Sequence, residues 1–240
     1  MLTSTLAVCI KSFPYKESST VVSLYTKDSG LKTCIINGGR KPNAKVKSAC
    51  FQPLQPMEVV IYNNPKSAFC RIKENKLTFN IAGIQTNMTK ISVAMFITEV
   101  FYLSVKEDNP NEELFFFLEN SVIYINNCEK ERDLRDFHIY FLYHLSRILG
   151  FEPMNNYSLQ TPFFDISKGT FVEHQDVQTL DKDLSSLFYK TLLTLKSEYA
   201  AFTENSAARN ALLDIFILFF EQHITNNRRI KSRQILHTIF

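Results

Sequence analysis

A chain of 240 residues, 45% hydrophobic and 21% charged, suits one large domain or two ordinary ones and excludes a low-complexity protein. Its most apolar segment, residues 211–220, is about half the length of a membrane span and contains Asp214, which argues against a spanning helix. The net charge of +3 hides an asymmetry: residues 1–80 hold twelve Lys and Arg against four Asp and Glu, or +8, and the remainder carries −5. This asymmetry predicts a surface that faces a polyanion.

The first eighty residues predict about five short strands. The runs are TSTLAVCIKSF, STVVSLYTK, GLKTCIING, FQPLQPMEVVIY and AFCRIKENKLTF. Turn-forming residues such as 28–30 and 63–65 separate them, and Pro53 and Pro56 predict an edge or a bend at the start of the fourth. Such strands with basic loops are compatible with a small OB-type barrel, although periodicity alone does not distinguish it from an SH3-like barrel.

After Gly83 the apolar spacing becomes helical. It predicts a helix over 88–105, a second helix capped by Asn111, and a third over 134–150 that stops at Gly150. Residues 151–175 are irregular, with a short hairpin predicted around Lys168-Gly169, and helices resume over 181–199 and 206–224. The sequence thus predicts an α+β protein with an N-terminal five-stranded barrel, residues 1–80, and an all-α helical domain, residues 81–240.

The sequence offers no recognisable catalytic or metal motif. His138 and His144 are six residues apart on the third predicted helix, so they lie on different faces, unlike an i,i+4 zinc pair. The five cysteines form no C-x-x-C pair, which favours thiols in a reducing compartment. The aromatic run 115–117 lies inside an amphipathic helix and is expected in the core. We therefore expect no enzyme activity, no metal and no cofactor.

Cations are concentrated in the loop after the third strand, within INGGRKPNAKVKSACFQPLQP, where Arg40, Lys41, Lys45 and Lys47 occur without any acid. A solvated connection is the alternative for such a loop. Further cations of this half are Lys11, Lys16, Lys27, Lys32, Arg71, Lys73 and Lys76, and its aromatic residues include Phe13, Tyr15, Tyr25, Phe51, Tyr62 and Phe69. Cations that follow phosphates and rings that stack on bases are typical of single-stranded nucleic-acid binding. We expect the nucleic-acid contacts at Arg40, Lys41, Lys45, Lys47, Lys32, Arg71 and Lys73.

The chain also resembles the bacterial RecO family of DNA repair proteins over nearly its whole length. The N-terminal similarity lies in YKESSTVVSLYTKDSGLKTCIINGGRK, FQPLQPMEVVIY and RIKE. The segments FHIYFLYHLSRILGFEP, FFDISKGTF and LLDIFILFFEQHI resemble the form found in Bacteroidetes-type bacteria. The resemblance implies an N-terminal OB fold, a helical domain and a non-catalytic recombination mediator. Such proteins bind single- and double-stranded DNA, anneal complementary strands, and work with RecR to load RecA onto DNA coated by single-strand-binding protein.

Two family features bear on this sequence. Many relatives carry a four-cysteine zinc site in the second domain, whereas this chain has only Cys128 after residue 80, so we expect no zinc. The family also docks the acidic, Phe-ended tail of single-strand-binding protein. For that partner we consider the tail segment NNRRIKSRQILHTIF, in which Asn226-Asn227 end a helix. Its cations are Arg228, Arg229, Lys231 and Arg233.

If this segment is helical, Lys231 shares a face with Ile235 and Ile239, and such a face suits an acidic peptide with an aromatic end. A helix end whose cations complement its dipole is the alternative. For the whole chain, an OB-fold protein-docking adaptor and an RNA-binding barrel stay open beside the DNA mediator. The N-terminus has no basic segment before residues 6–10, which predicts no signal peptide and a soluble, cytoplasmic protein. The resemblance to RecO implies that it is nucleoid-associated during repair.

Overall fold

The computed structural model describes residues 2–62, 67, 69–105, 109–196, 202–203, 205–225 and 228–240. By their internal contacts the residues form two compact units, Met1–Asn127 (unit 1) and Cys128–Phe240 (unit 2). The helices that follow residue 80 divide between the two units. The division into domains 1–80 and 81–240 stays a prediction.

Unit 1 contains a closed five-stranded barrel in the order β1-β2-β3-β5-β4. The strands are β1 (Leu2–Tyr15), β2 (Ser19–Thr26), β3 (Gly30–Ile36), β4 (Pro56–Tyr62) and β5 (Cys70–Leu77). Neighbouring strands are antiparallel, except that β3 and β5 pair in parallel. A five-stranded barrel with this crossover fits the OB type, so the predicted fold class is confirmed and the choice between barrel types is resolved.

Strand β1 is long because it serves two neighbours: its first half pairs with β4 and its second half with β2, with a register shift between Cys9 and Lys11. If one starts at Phe13 of β1 and moves from each residue to its partner on the next strand, one returns to β1 at Leu2 and not at Phe13. The successive partners are Phe13, Val21, Ile35, Arg71, Tyr62 and Leu2. This stagger tilts the strands against the barrel axis.

Alternate side chains of the strands fill the barrel. Its core consists of Ala7, Cys9, Val22, Leu24, Cys34, Ile36, Val46, Phe51, Met57, Val59, Ile61 and Ile72. Val46 and Phe51 come from the connection between β3 and β4. The predicted bend before β4 is present, since Leu54 has a positive φ of 63° and the strand begins only at Pro56.

The helices of unit 1 are α1 (Ala82–Gln85), α2 (Met88–Ser104) and α3 (Glu112–Asn127). The predicted cap is confirmed, because the Asn111 side chain accepts a hydrogen bond of 2.9 Å from the amide of Leu114. The fully buried Tyr25 on β2 packs against Phe101 and Phe115, with ring centroids 4.9 and 6.5 Å apart. Helices α2 and α3 therefore cover part of the outer face of β2.

The described elements of unit 2 are helices and one two-stranded hairpin. Its elements are α4 (Phe137–Ile148), β6 (Phe163–Asp165), β7 (Thr170–Val172), α5 (Lys182–Thr194), α6 (Ser206–His223) and α7 (Arg233–Ile239). The predicted hairpin is confirmed: Gly169 has a φ of +67°, and the buried Asp165 accepts hydrogen bonds from the amides of Ser167 and Lys168.

Several predicted boundaries differ from the observed ones. Helix α4 begins three residues later than expected, because Glu131–Leu134 forms a separate 3₁₀ turn and the Asp136 carboxylate binds other backbone amides. Helix α5 ends at Thr194, and its predicted end at residue 199 lies outside the described residues, as do the turn at 63–65 and the helix end at 226–227. Across the described ranges, no helix combines the length and apolarity needed to cross a membrane.

Candidate nucleic-acid interface

The predicted cationic loop lies between β3 and β4 as expected. The side chains of Arg40, Lys41, Lys45 and Lys47 are all exposed. We call residues 37–47 the cationic loop. Because it follows directly from the end of β3, its cations lie at one end of the barrel.

Both ends of the cationic loop are held by contacts with the rest of the barrel. Gly38 has a φ of +65°, which suits glycine, and the buried Gly39 accepts a 2.9 Å backbone hydrogen bond from Ser48. A Cβ atom at Gly39 would lie 2.4 Å from Ser48 Oγ and 2.5 Å from Ile36 Cγ2, so only glycine fits there. Val46 is buried in the barrel core. The cations thus project from a loop held at both ends.

Arg40 joins the cationic loop to the turn between β1 and β2. Its guanidinium donates a hydrogen bond to the carbonyl of Lys16, and its amide donates to the carbonyl of Ser18 at 3.3 Å. The ring of Tyr15 lies 6.1 Å from that of Phe69 in the connection before β5. The Lys16 ammonium lies 5.5 Å from the centroid of the Tyr15 ring, so the fold brings a cation and a half-exposed aromatic pair together where these connections meet. The sequence identified these residues singly, but their separation along the chain hid the cluster.

Arg71 and Lys73 of β5 are exposed on the outer face of the barrel, because Ile72 between them points into the core. Lys73 lies beside Glu74, whose carboxylate binds Lys45 of the cationic loop with an Nζ–Oε1 distance of 2.9 Å. That hydrogen bond lowers the pKa of Glu74. A phosphate would have to compete with Glu74 for Lys45, so Lys45 is weaker as a phosphate contact than its exposure suggests.

Lys32 is not part of this cluster. It lies near the beginning of β3, about 13 Å along the strand from Ile36, where the cationic loop begins. There it lines a small cavity of about 40 Å³ together with Thr26 and Cys70. The fold separates Lys32 from the cationic loop, although both belong to the same strand and its continuation.

Comparison with known proteins identifies the family. A family model described as Recombination protein O N terminal matches residues 1–80, and one described as Recombination protein O C terminal matches residues 85–234. The chain belongs to the recombination protein O (RecO) family. These two matches confirm the resemblance found in the sequence.

Relatives of similar length agree with this assignment. Curated proteins named DNA repair protein RecO from Christiangramia forsetii and Flavobacterium psychrophilum are each 29% identical to this chain, over 242 and 244 residues and all of both chains. A protein of the same name from Phocaeicola vulgatus is 28% identical over 245 residues, again with full coverage. The similarity to Bacteroidetes-type RecO is thereby confirmed, and the chain is a RecO-family DNA repair protein.

The basic segment of this RecO-family chain at residues 228–233 lies in unit 2. Arg228, Arg229 and Lys231 are exposed, whereas Arg233 binds Asp214 with an Nε–Oδ1 distance of 3.1 Å. Helix α7 begins at Arg233, so Lys231 precedes it and does not share its face with Ile239 as the sequence suggested. The exposed cations therefore lie before the helix rather than along it.

The RecO-family chain also contains an apolar cavity of about 490 Å³ in unit 1, formed by residues 49–53 and by α1 and α2. Its lining includes Pro53, Ile84 and Met95, and its polar lining residues are Gln52 and Gln85. None of its lining residues has a titratable side chain, so this cavity offers no acid, base or nucleophile. Among the described residues, no three His, Cys, Asp or Glu side chains are grouped so as to hold a metal ion. The absence of zinc stays a prediction.

Proposed function

We propose that this RecO-family chain is a non-catalytic recombination mediator of the cytoplasm, nucleoid-associated during repair. It binds single- and double-stranded DNA, anneals complementary strands, and helps RecR to load RecA onto DNA coated by single-strand-binding protein. One observation carries the DNA-binding part of the proposal: the Lys16 ammonium lies 5.5 Å from the centroid of the Tyr15 ring, which packs against Phe69, and Arg40 donates a hydrogen bond to the Lys16 carbonyl. Such a cluster can bind phosphates through its cations and stack bases on its rings.

The path of the DNA strand over the barrel depends on which barrel surfaces are not covered by helices. OB barrels bind oligonucleotides across the face of their second and third strands and the adjoining connections. Here Phe101 of α2 and Phe115 of α3 pack on Tyr25 and cover part of the outer face of β2. We therefore infer that the strand passes from the Tyr15–Phe69 ring pair along the cationic loop and the β5 side with Arg71 and Lys73.

The cationic loop gives the first prediction. Replacing Lys41 and Lys47 by alanine should weaken binding of a single-stranded oligonucleotide regardless of its sequence. It should also lower the salt slope of log K by about 0.7 for each phosphate that the loop no longer binds. Adding Lys45→Ala should change the slope less than either of the other substitutions, because Glu74 already binds Lys45. Fluorescence anisotropy over a salt series measures both quantities.

A matched control removes two exposed lysines of unit 2, Lys130→Ala and Lys190→Ala, and should leave affinity and slope unchanged. If the Lys41 and Lys47 variant behaves like this control, the loop does not contact phosphate.

An adaptor that docks proteins through apolar surface would show little salt dependence in its binding. Competition between ribo- and deoxyribo-oligomers distinguishes the RNA-binding alternative. Strand annealing with and without single-strand-binding protein tests the mediator activity itself.

We further propose that the basic segment of unit 2 binds the acidic C-terminal tail of single-strand-binding protein. Arg229 and Lys231 are exposed, and the buried Ile230 between them is held by a 2.8 Å hydrogen bond from its amide to Glu221. This anchoring fixes the positions from which the two cations project. Arg233 contributes less, since Asp214 already binds it.

Charge reversal tests this second surface. Arg229→Glu with Lys231→Glu should weaken anisotropy-detected binding of an acidic, Phe-ended peptide several-fold, because attraction becomes repulsion. Oligonucleotide binding should stay nearly unchanged. Lys196→Glu, another exposed site of unit 2, is the control. Equal peptide affinity in the double variant and the control would show that these cations are solvated surface groups.

A further inference from the structure

Two cysteines face each other where the barrel closes. Among the described residues, strands β3 and β5 join through two residue pairs, Cys34–Cys70 and Ile35–Arg71. The other strand neighbours share longer ladders. The seam between β3 and β5 is therefore the shortest of the barrel, and half of it consists of the cysteine pair.

The two thiols lie on the same side of the sheet. Cys34 is fully buried in the barrel core, and Cys70 packs against that core while partly exposed. Paired Cα atoms of neighbouring strands are about 4.8 Å apart, within the range of disulfide-bonded cysteines. The Cys34 thiol is hydrogen-bonded to Cys70, and this bond together with burial raises the pKa of Cys34. Cys34 is thus held as a protonated thiol directly beside the second sulfur.

Cys70 is the accessible member of the pair. It lines the cavity of about 40 Å³ next to Lys32 and Thr26, and that volume exceeds what one water molecule needs. A small polar oxidant such as hydrogen peroxide fits such a space. The ammonium group of Lys32 lines the same cavity, and the thiolate is the form of a cysteine that reacts with an oxidant.

We propose that Cys70 and Cys34 form an oxidation site at which hydrogen peroxide converts the two thiols into a disulfide across the β3–β5 seam. The Cys70 thiolate attacks one peroxide oxygen, the O–O bond breaks, and hydroxide leaves, which gives a sulfenic acid on Cys70. The Cys34 sulfur then attacks the Cys70 sulfur. The S–S bond forms, the S–O bond breaks, and the hydroxyl leaves as water with the Cys34 proton. An external dithiol reduces the bond again and is itself oxidised to its disulfide.

The bond would make the closure of the barrel covalent. It would link two strands whose intervening chain contains the cationic loop and all of β4. Such a link restricts the unfolded chain more than the folded one, so the oxidised barrel should be more stable. This effect does not depend on nucleic acid, and the proposal therefore stands or falls separately from the DNA-binding function.

Hydrogen peroxide added to the reduced full-length protein tests the proposal. The intact mass should fall by two hydrogen atoms, and a non-reducing peptide map should link Cys34 to Cys70. Tm should rise by roughly 5–10 °C and return after treatment with dithiothreitol. Cys70→Ser should abolish all three changes, whereas Cys128→Ser, which alters a cysteine of unit 2, should keep them.

Three outcomes contradict the proposal in the wild-type protein, without reliance on any variant. The peptide map could show sulfinic acid on Cys70 without a crosslink. The crosslink could instead involve Cys9 or Cys50, which belong to or pack against the same core. The thiol content could also stay constant under peroxide while exposed methionines are oxidised.

Discussion

Replacing Asp136 by alanine is expected to lower the free energy of unfolding by about 3–5 kcal/mol, the largest effect that we predict for a single side chain. Asp136 is fully buried at the start of α4. Its carboxylate accepts hydrogen bonds from the amides of Phe202 and Thr203 at 2.7 and 2.9 Å and from the Thr203 hydroxyl. An ion pair joins it to the buried Arg209, whose Nη1 lies 4.0 Å from Oδ1 of Asp136. Alanine would leave these donors without their acceptor and would remove the carboxylate that faces the buried guanidinium of Arg209.

Two further variants make this prediction specific. Asp136→Asn keeps one acceptor oxygen but loses the charge, so it should destabilise less than alanine. Asp133→Ala removes the carboxylate of an exposed pair with Arg132, whose atoms are 3.5 Å apart, and should change stability by less than about 1 kcal/mol. Urea unfolding followed by circular dichroism measures all three. Equal midpoints for the alanine variants at 133 and 136 would mean that the buried network contributes nothing.

The contrast between these two aspartates also shows how far the sequence can predict the structure. Both occur within a few residues before a helical apolar pattern, where acids are common in any case. What distinguishes Asp136 is a set of donors some 66 residues further along the chain. No local pattern contains that pairing. By contrast, the strands of the barrel and the cap at Asn111 depend on neighbouring residues, and local alternation and capping rules predicted them.

In the candidate interface, too, local features could be predicted from the sequence and long-range contacts could not. The position of the cationic loop follows from composition and strand order, so its exposed cations could be named from the sequence. The pairing of Lys45 with Glu74 joins the loop to β5, and the contact of Tyr15 with Phe69 joins the end of β1 to the connection before β5. Both unite residues far apart in the chain. The cations could therefore be named from the sequence. Which of them pair with an acid or lie beside an aromatic ring could not.

Acid should destabilise unit 2 through His138, by about 1.4 kcal/mol for each pH unit below about 6.5. His138 is fully buried on α4, and its ring stacks on that of Phe240 with centroids 5.7 Å apart. Burial, followed by the charges of Arg209 and His237, lowers the pKa of His138 to about 3. Above pH 6.5 the ring is neutral in both states. Between pH 6.5 and 3 only the unfolded chain takes up the proton, so stability falls as the pH falls.

At pH 5 the contribution of His138 is therefore about 2 kcal/mol lower than at pH 7. Burial also lowers the pKa of the half-buried His144, which adds in the same direction. His138→Leu fills a similar volume without a titratable group and should flatten the dependence of the unfolding free energy on pH by about one proton. His174→Gln, which removes an imidazole whose side chain is 86% exposed, is the matched control for the loss of a histidine. An unchanged slope in the leucine variant would mean that His138 is protonated in the folded protein, in which case its buried charge would have to be stabilised by the groups around it.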